Sequence, residues 1–215
     1  MRKKVWVTVI GVVLISLACG PLTTPTENAE VIFQDDFSTQ NGFWVTAQED
    51  PGIIYEYSNG AYRLTAVDEA VVFSSAPTID FPADVRVEVD LTQTAGTYNT
   101  AMGIVCRLTY TSEGNSMYFL YITKDGTAMI TKYVYDQKTL LAGSDEILSA
   151  VHAGNVTNHL RADCSGNSIS LYVNGTRVLS VTDESLVSGA AGVMIGTADI
   201  EDAVVLFDNF VVTRP

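Results

Sequence analysis

Short segments that alternate apolar and polar side chains, punctuated by Asn-Gly and Asp-Gly, constrain this chain more than any other feature. Val85, Val87, Val89 and Leu91 alternate with Arg86, Glu88 and Asp90, so one face of that strand is core and the other is wet. Leu160, Ala162 and Cys164 share a face against Arg161 and Asp163. Met102, Ile104, Cys106 and Leu108 share another, with Val105, Arg107 and Thr109 opposite. Residues 204–212 (VVLFDNFVV) are apolar on both faces, as in a central strand. No stretch sustains a capped 3.6-residue period, and residues 144–151 have room for one or two helical turns at most. Turn clusters recur about every 8–12 residues and mark out about a dozen strands of a sandwich or barrel. No internal repeat of fixed period is present, which argues against a propeller.

Asn59-Gly60, Asp125-Gly126 and Asn174-Gly175 supply the positive φ that two-residue hairpins need. Such closure at Asn174-Gly175 pairs Tyr172 with Arg177 and Leu171 with Val178. At Asp125-Gly126 it pairs Tyr118 with Tyr133, Leu120 with Thr131 and Ile122 with Met129. Tyr118 and Tyr133 then share a polar face, while Met117, Phe119, Tyr121, Ile130 and Val134 face the core.

The chain begins differently. Arg2, Lys3 and Lys4 precede an apolar run of 14 residues, Val5 to Ala18. A helix of that length spans about 21 Å, short of the ~30 Å hydrocarbon core, so the run reads as the apolar part of an export signal. It ends Ser16-Leu17-Ala18-Cys19-Gly20, which resembles a bacterial lipobox, although Leu sits one position later than is usual. That resemblance implies cleavage before Cys19, lipidation of Cys19, and a protein anchored in the cell envelope on the extracytoplasmic side of the membrane. A plain secretory signal is the alternative. Residues 20–29 (GPLTTPTENA) are too polar and Pro-rich to fold. The expected organisation is a signal peptide over 1–18, a flexible tether over 19–29 and one folded domain over 30–215.

The formal charge of the 215-residue chain is −13, and loss of the three leading basic residues takes it to −16. Such a surface repels phosphate backbones, so nucleic acid is an unsuitable partner. It equally disfavours anionic lipid surfaces, leaving the lipid as the only membrane contact. With 47% hydrophobic and 17% charged residues the chain is not disordered. A single domain of this size can bury its own core, and a monomer is expected.

Four sequence features fall in a telling order: Asp35-Asp36-Phe37-Ser38 with Trp44 shortly after, Asn59 to Leu64 (NGAYRL), Ser168 to Gly175 (SISLYVNG), and Phe207 to Val212 (FDNFVV). Together they resemble concanavalin A-like and laminin-G-like domains over about residues 31–213. The resemblance implies an all-β fold, an antiparallel two-sheet β-sandwich of the jelly-roll kind, in a family whose members bind or cleave polysaccharides or bind proteins. It also implies Asp36 and Asp208 as the matching positions for a structural Ca²⁺ between first and last strands. Independently, a carboxylate on an apolar strand must be paired, hydrogen-bonded or metal-bound, and backbone hydrogen bonds would satisfy both acids without a metal.

Other chemistry is sparse. Cys106 and Cys164 lie on core faces, 58 positions apart, and an exported protein can bridge them. The two histidines, His152 and His159, have no ligand neighbours at zinc spacing, and no G-x-S-x-G elbow is present. Glu88 and Asp90 share the wet face of one strand. A glycosidase needs two carboxylates, but the next residue on that face is Thr92 rather than a further acid. The preferred reading is a non-catalytic, lectin-like carbohydrate-binding module. Tyr118 and Tyr133 would stack on the sugar, and Arg107, Glu88 and Asp163 would hydrogen-bond its hydroxyls. The expected ligand is a glycan or polysaccharide, neutral or weakly basic given the charge. A glycoside hydrolase or lyase using Glu88 and Asp90, and a protein–protein adhesion or scaffold domain, are the alternatives.

Overall fold

The computed structural model describes residues 29–46, 52–67, 72–197 and 202–215. The expected signal peptide and Cys19 lie outside the described residues. Fourteen strands are present and no helix occurs among the described residues; the 144–151 segment is turns. They are β1 (Val31–Asp35), β2 (Ile53–Ser58), β3 (Ala61–Ala66), β4 (Val72–Ser75), β5 (Val85–Ala95), β6 (Ala101–Thr111) and β7 (Gly114–Thr123). The second half holds β8 (Ala128–Val134), β9 (Gln137–Gly143), β10 (Asn158–Ser165), β11 (Ser168–Val173), β12 (Thr176–Thr182), β13 (Ala190–Gly196) and β14 (Ala203–Thr213). They form an antiparallel jelly-roll sandwich. The eight-stranded sheet runs β12-β11-β10-β5-β14-β3-β2, with β1 on the second half of β14; the six-stranded sheet runs β4-β13-β6-β7-β8-β9.

Parity sets the core. Val85, Val87, Val89 and Leu91 of β5 pack inward beside Leu160, Ala162 and Cys164 of β10, all essentially inaccessible. Met102, Ile104 and Cys106 of β6 meet them from the opposite sheet. The disulfide Cys106–Cys164 therefore ties the two sheets together, with Cα atoms 6.8 Å apart. The Asn59-Gly60 and Asn174-Gly175 turns have positive φ at both positions, as type I′ closure requires. Past Asn174-Gly175 the strands slip by one residue, so Leu171 faces Leu179 rather than Val178.

The motifs that carry the family resemblance converge in space. Phe37 stacks on Tyr62 at 5.4 Å, and Trp44 lies 5.1 Å from Phe37, 5.1 Å from Tyr62 and 5.0 Å from Phe210. Three of those motifs, distant in sequence, thus meet in a single aromatic cluster. Offset and edge contacts of this kind add to the area each ring buries.

Three irregularities invert parity. Between Cys106 and Thr109, β6 carries one extra residue, and Arg107 adopts φ 56°. Leu108 consequently points to the outer face, not to the core with Cys106. In β14 the register to β5 breaks between Asp208 and Val211, with Asn209 at φ 51°. Phe210 returns to the core, whereas Asp208 remains on the side of Asp90. A bulge of this kind opposes two residues to one and turns the strand over.

The third change is the β7–β8 hairpin. Thr123 rather than Lys124 closes against Thr127, leaving a three-residue loop with Gly126 at φ 99°. The Asp125 carboxylate accepts hydrogen bonds from Thr127 N and from the hydroxyls of Thr123 and Thr127. That clasp stabilises the longer loop over the two-residue turn, with glycine taking the left-handed position. The register becomes Tyr118 with Lys132, Leu120 with Ile130 and Met117 with Tyr133.

Candidate functional site

The one-residue slip decides what each aromatic ring does. Tyr118 faces the core between the sheets and is fully buried. Its hydroxyl donates to Asp183 Oδ1 at 2.6 Å and accepts from Leu186 N at 3.1 Å. Lys132, opposite it, reaches the other carboxylate oxygen of Asp183 at 2.7 Å. Burial, then the Asp183 bond, pushes the Tyr118 hydroxyl up to about 12. It is a structural tyrosine, not a ligand platform.

Tyr133 instead joins Met117, Phe119, Tyr121, Val105, Leu108 and Met194 on the outer face of the six-stranded sheet. Phe119 and Tyr121 stack at 4.2 Å with an interplanar angle of 22°. Tyr121 crosses directly over Gly103, where any Cβ would stand 2.7 Å from the Tyr121 Cα. Its hydroxyl meets Met129 Sδ at 3.0 Å, and burial pushes it up to about 12, so it stays a neutral donor.

A cavity of about 390 Å³ opens on this face, walled by Phe119, Tyr121, Met129, Tyr133 and Ala101. Asn99, Asp125, Thr127, Thr197 and Lys138 make its polar rim. The volume lies in the range of small-molecule sites, and apolar walls with a few polar groups are their usual lining. A further aromatic, Tyr98, precedes the rim residue Asn99 and is 65% exposed, with Lys124 Nζ 5.6 Å from its ring centroid.

The remaining expected ligand residues do not converge here. Arg107 is 2% exposed and donates to the carbonyls of Leu186 and Gly166, both at 2.7 Å, and of Ala83 at 3.4 Å. It bridges the sheets at one end of the sandwich because the bulge turns it off the strand face. Glu88 and Asp163 lie on the outer face of the eight-stranded sheet, the opposite side of the molecule from Tyr133. There Asp163 takes a forked pair from Arg86, at 2.7 and 3.1 Å. Arg161 covers the Tyr172 ring at 3.6 Å.

On the same face His159 stands opposite Asp90, with Nδ1 2.8 Å from Asp90 Oδ1 and Nε2 3.6 Å from Glu88 Oε2. Asn209 adds a bond to the second Asp90 oxygen at 2.9 Å. Glu88, then Asp90, raises His159 from about 6.5 to about 9. His159 in turn holds Glu88 below the usual carboxylate range. Because the folded His159 is the more basic state, its stabilisation is complete below pH ~6.5 and vanishes as pH climbs through about 9. Wild-type protein should therefore lose melting temperature between pH 6 and pH 9.5, and His159→Gln should flatten that loss. Parallel profiles for the two proteins would refute the coupling.

The Asp35-Asp36 pair also resolves differently from expectation. Asp35 is the buried acid, accepting from Phe37 N at 2.8 Å and Asn41 Nδ2 at 2.7 Å. Asp36 is exposed and accepts from Ser38 N at 3.0 Å; Asp208 accepts from Asn209 N at 2.7 Å. Backbone donors thus serve both acids. Among the described residues no three His, Cys, Asp or Glu side chains assemble a metal site. Asp36 and Asp208 supply two carboxylates, each accepting a backbone hydrogen bond, where a Ca²⁺ ion takes six or more oxygens.

No protein-family model matches this sequence, and no curated protein does. Solved structures match well. A carbohydrate-binding module, CBM66 from Bacillus subtilis, superposes with a TM-score of 0.56 at 14% identity, covering 86% of this chain and 97% of that one. A Bacillus licheniformis β-glucanase gives 0.60 at 12% identity over 88% and 100%. A Bacillus subtilis protein of unknown function with a galectin-like fold gives 0.64 at 11% over 86% and 96%. The chain has the jelly-roll β-sandwich fold that these structures share.

Proposed function

We propose that this protein is a non-catalytic glycan-binding module whose site is the cavity on the outer face of the six-stranded sheet. The observation that carries the reading is that cavity itself: aromatic walls standing on a rigid sheet, and a polar rim supplied largely by the adjoining loops. The resemblance to a carbohydrate-binding module supports it at the level of fold. Against a hydrolase stands the state of the acids. Asp90 is hydrogen-bonded by His159 and Asn209, and Glu88, beside His159, is pushed down, whereas a general acid needs a raised pKa. The disulfide suits an oxidising compartment, in keeping with export and lipid anchoring at Cys19.

The test is binding of the full-length protein in detergent to a glycan array, followed by titration of the strongest hit. Tyr133→Ala and Asn99→Ala should each weaken binding tenfold or more, about 1.4 kcal/mol. Tyr172→Ala, on the opposite sheet, should not. Melting temperatures within a few degrees of wild type establish that each variant is folded. Normal binding by both folded variants would place the site elsewhere.

A further inference from the structure

The geometry points to a glycan that carries a small acyl substituent, such as an acetyl group, as the ligand of this cavity. The inference rests on the glycan-binding reading and names the ligand class of the same site. Three observations lead to it.

First, the rings are walls rather than platforms. Phe119 is 1% and Tyr121 4% exposed, so neither offers a free face on which a pyranose could lie. What the cavity does offer is an apolar seat. Met129 and Ala101 are its half-buried members, and Gly196, with no side chain, leaves room at its edge. A methionine wall adapts to a small apolar group better than a rigid one does.

Second, many of the cavity's polar groups are spent on one another. The Asp125 carboxylate is taken by Thr123 and Thr127, whose hydroxyls also bond each other at 2.6 Å. The Tyr121 hydroxyl is taken by Met129 Sδ. An unsubstituted sugar ring pushed into this seat would bury hydroxyls with few partners, at a cost that no hydrogen bond repays.

Third, unspent donors sit at the rim. Lys138 is exposed, with Nζ 6.0 Å from the Tyr121 centroid, and forms no ion pair among the described residues. Asn99 is exposed at the other end of the lining. An acyl group matches this division. Its methyl fills the apolar seat, its carbonyl oxygen accepts from a rim donor, and the sugar itself stays at the wet mouth near Tyr98. Neither part adds charge, so the strongly acidic surface does not oppose it.

The experiment compares matched ligands on the full-length protein in detergent: O-acetylated xylan, glucomannan and galactan, each against the same polymer after alkaline deacetylation. N-acetylated chito-oligosaccharide is a further probe. The expected result is tenfold or tighter binding of the acetylated member of at least one pair. Met129→Gln, which makes the seat polar, should bring that ratio close to one. Ala101→Leu, which fills the seat from the neighbouring strand, should do the same, and thermal melting verifies that each is folded. Equal binding of both members of every pair that binds overturns the acyl inference and leaves the glycan reading standing. A ratio unchanged in both folded variants also overturns the inference, because the substituent is then read elsewhere. No binding to any of these probes or to the array overturns the reading and the inference together.

Discussion

Arg107→Leu is expected to cost about 3–5 kcal/mol, among the largest single losses available in this protein. The guanidinium holds Leu186 O and Gly166 O at 2.7 Å each, and Ala83 O more loosely at 3.4 Å. Leucine would strand these carbonyls, at about 1–3 kcal/mol for each one left without a partner. Water can reach part of this end, since the neighbouring Asp84 side chain is 52% exposed, so about two carbonyls carry the loss. For a domain of this size that is a fall of about 10 °C in melting temperature. Arg107→Lys should recover little, because one ammonium cannot reach three divergent acceptors as a planar fork does. A lysine variant melting within 2 °C of wild type would show that the fork is not what holds this end closed.

The second large effect is loss of the Cys106–Cys164 bridge. Its partners are 58 residues apart and belong to different sheets, so in the chain-entropy model the bridge restrains the unfolded state by about 4 kcal/mol. Cys106→Ala with Cys164→Ala should show that loss in urea unfolding. Both cysteines are fully buried, so the native protein, alkylated without reductant, should show neither thiol labelled. Recovery of both thiols as alkylated derivatives after unfolding without reductant would disprove the bridge. Arg107 follows Cys106 directly and ties the same two sheets, so the two losses should not add. A triple variant should fall short of the sum, and strict additivity would mean that the two ties act independently.

Both effects arise at one corner, which also shows how far the amino-acid order goes. The alternation over Val85–Leu91 and Leu160–Cys164 was sufficient to assign the core faces of β5 and β10, and with them the position of Cys164. Asn59-Gly60 and Asn174-Gly175 marked their hairpins because two consecutive positive φ values are tolerated by few other dipeptides. The aromatic motifs from Phe37 to Phe210 were legible as a jelly roll because their order along the chain reflects one cluster in space. Inward parity of both Cys106 and Cys164, in a chain expected to be exported, was enough to expect the bridge, and the structure shows it.

The candidate site was not legible in the same way. Side chains in a strand repeat every two residues, so a single inserted residue exchanges the two faces. Tyr133 keeps the outer face expected of it but loses Tyr118 to the core, because Thr123 and Thr127 clasp Asp125 into a three-residue loop that puts the two rings on opposite faces. The signal for that was local, two threonines flanking the aspartate, and it competed with an equally local preference for a two-residue turn. Nothing local marks the bulge at Arg107. It exists because the acceptors for the guanidinium belong to Ala83, Gly166 and Leu186, far off in sequence. Gly189 leaves space there, since its Cβ would come within 2.5 Å of Arg107 C. Short-range pattern was enough for an all-β fold and for the inward faces of β5 and β10, the order of the motifs added the sandwich, and two inward cysteines in a chain expected to be exported added the bridge. That Tyr118 lies in the core and Tyr133 on the outer cavity came only with the folded register, because two local turn preferences competed and the strand pairing they close settled between them.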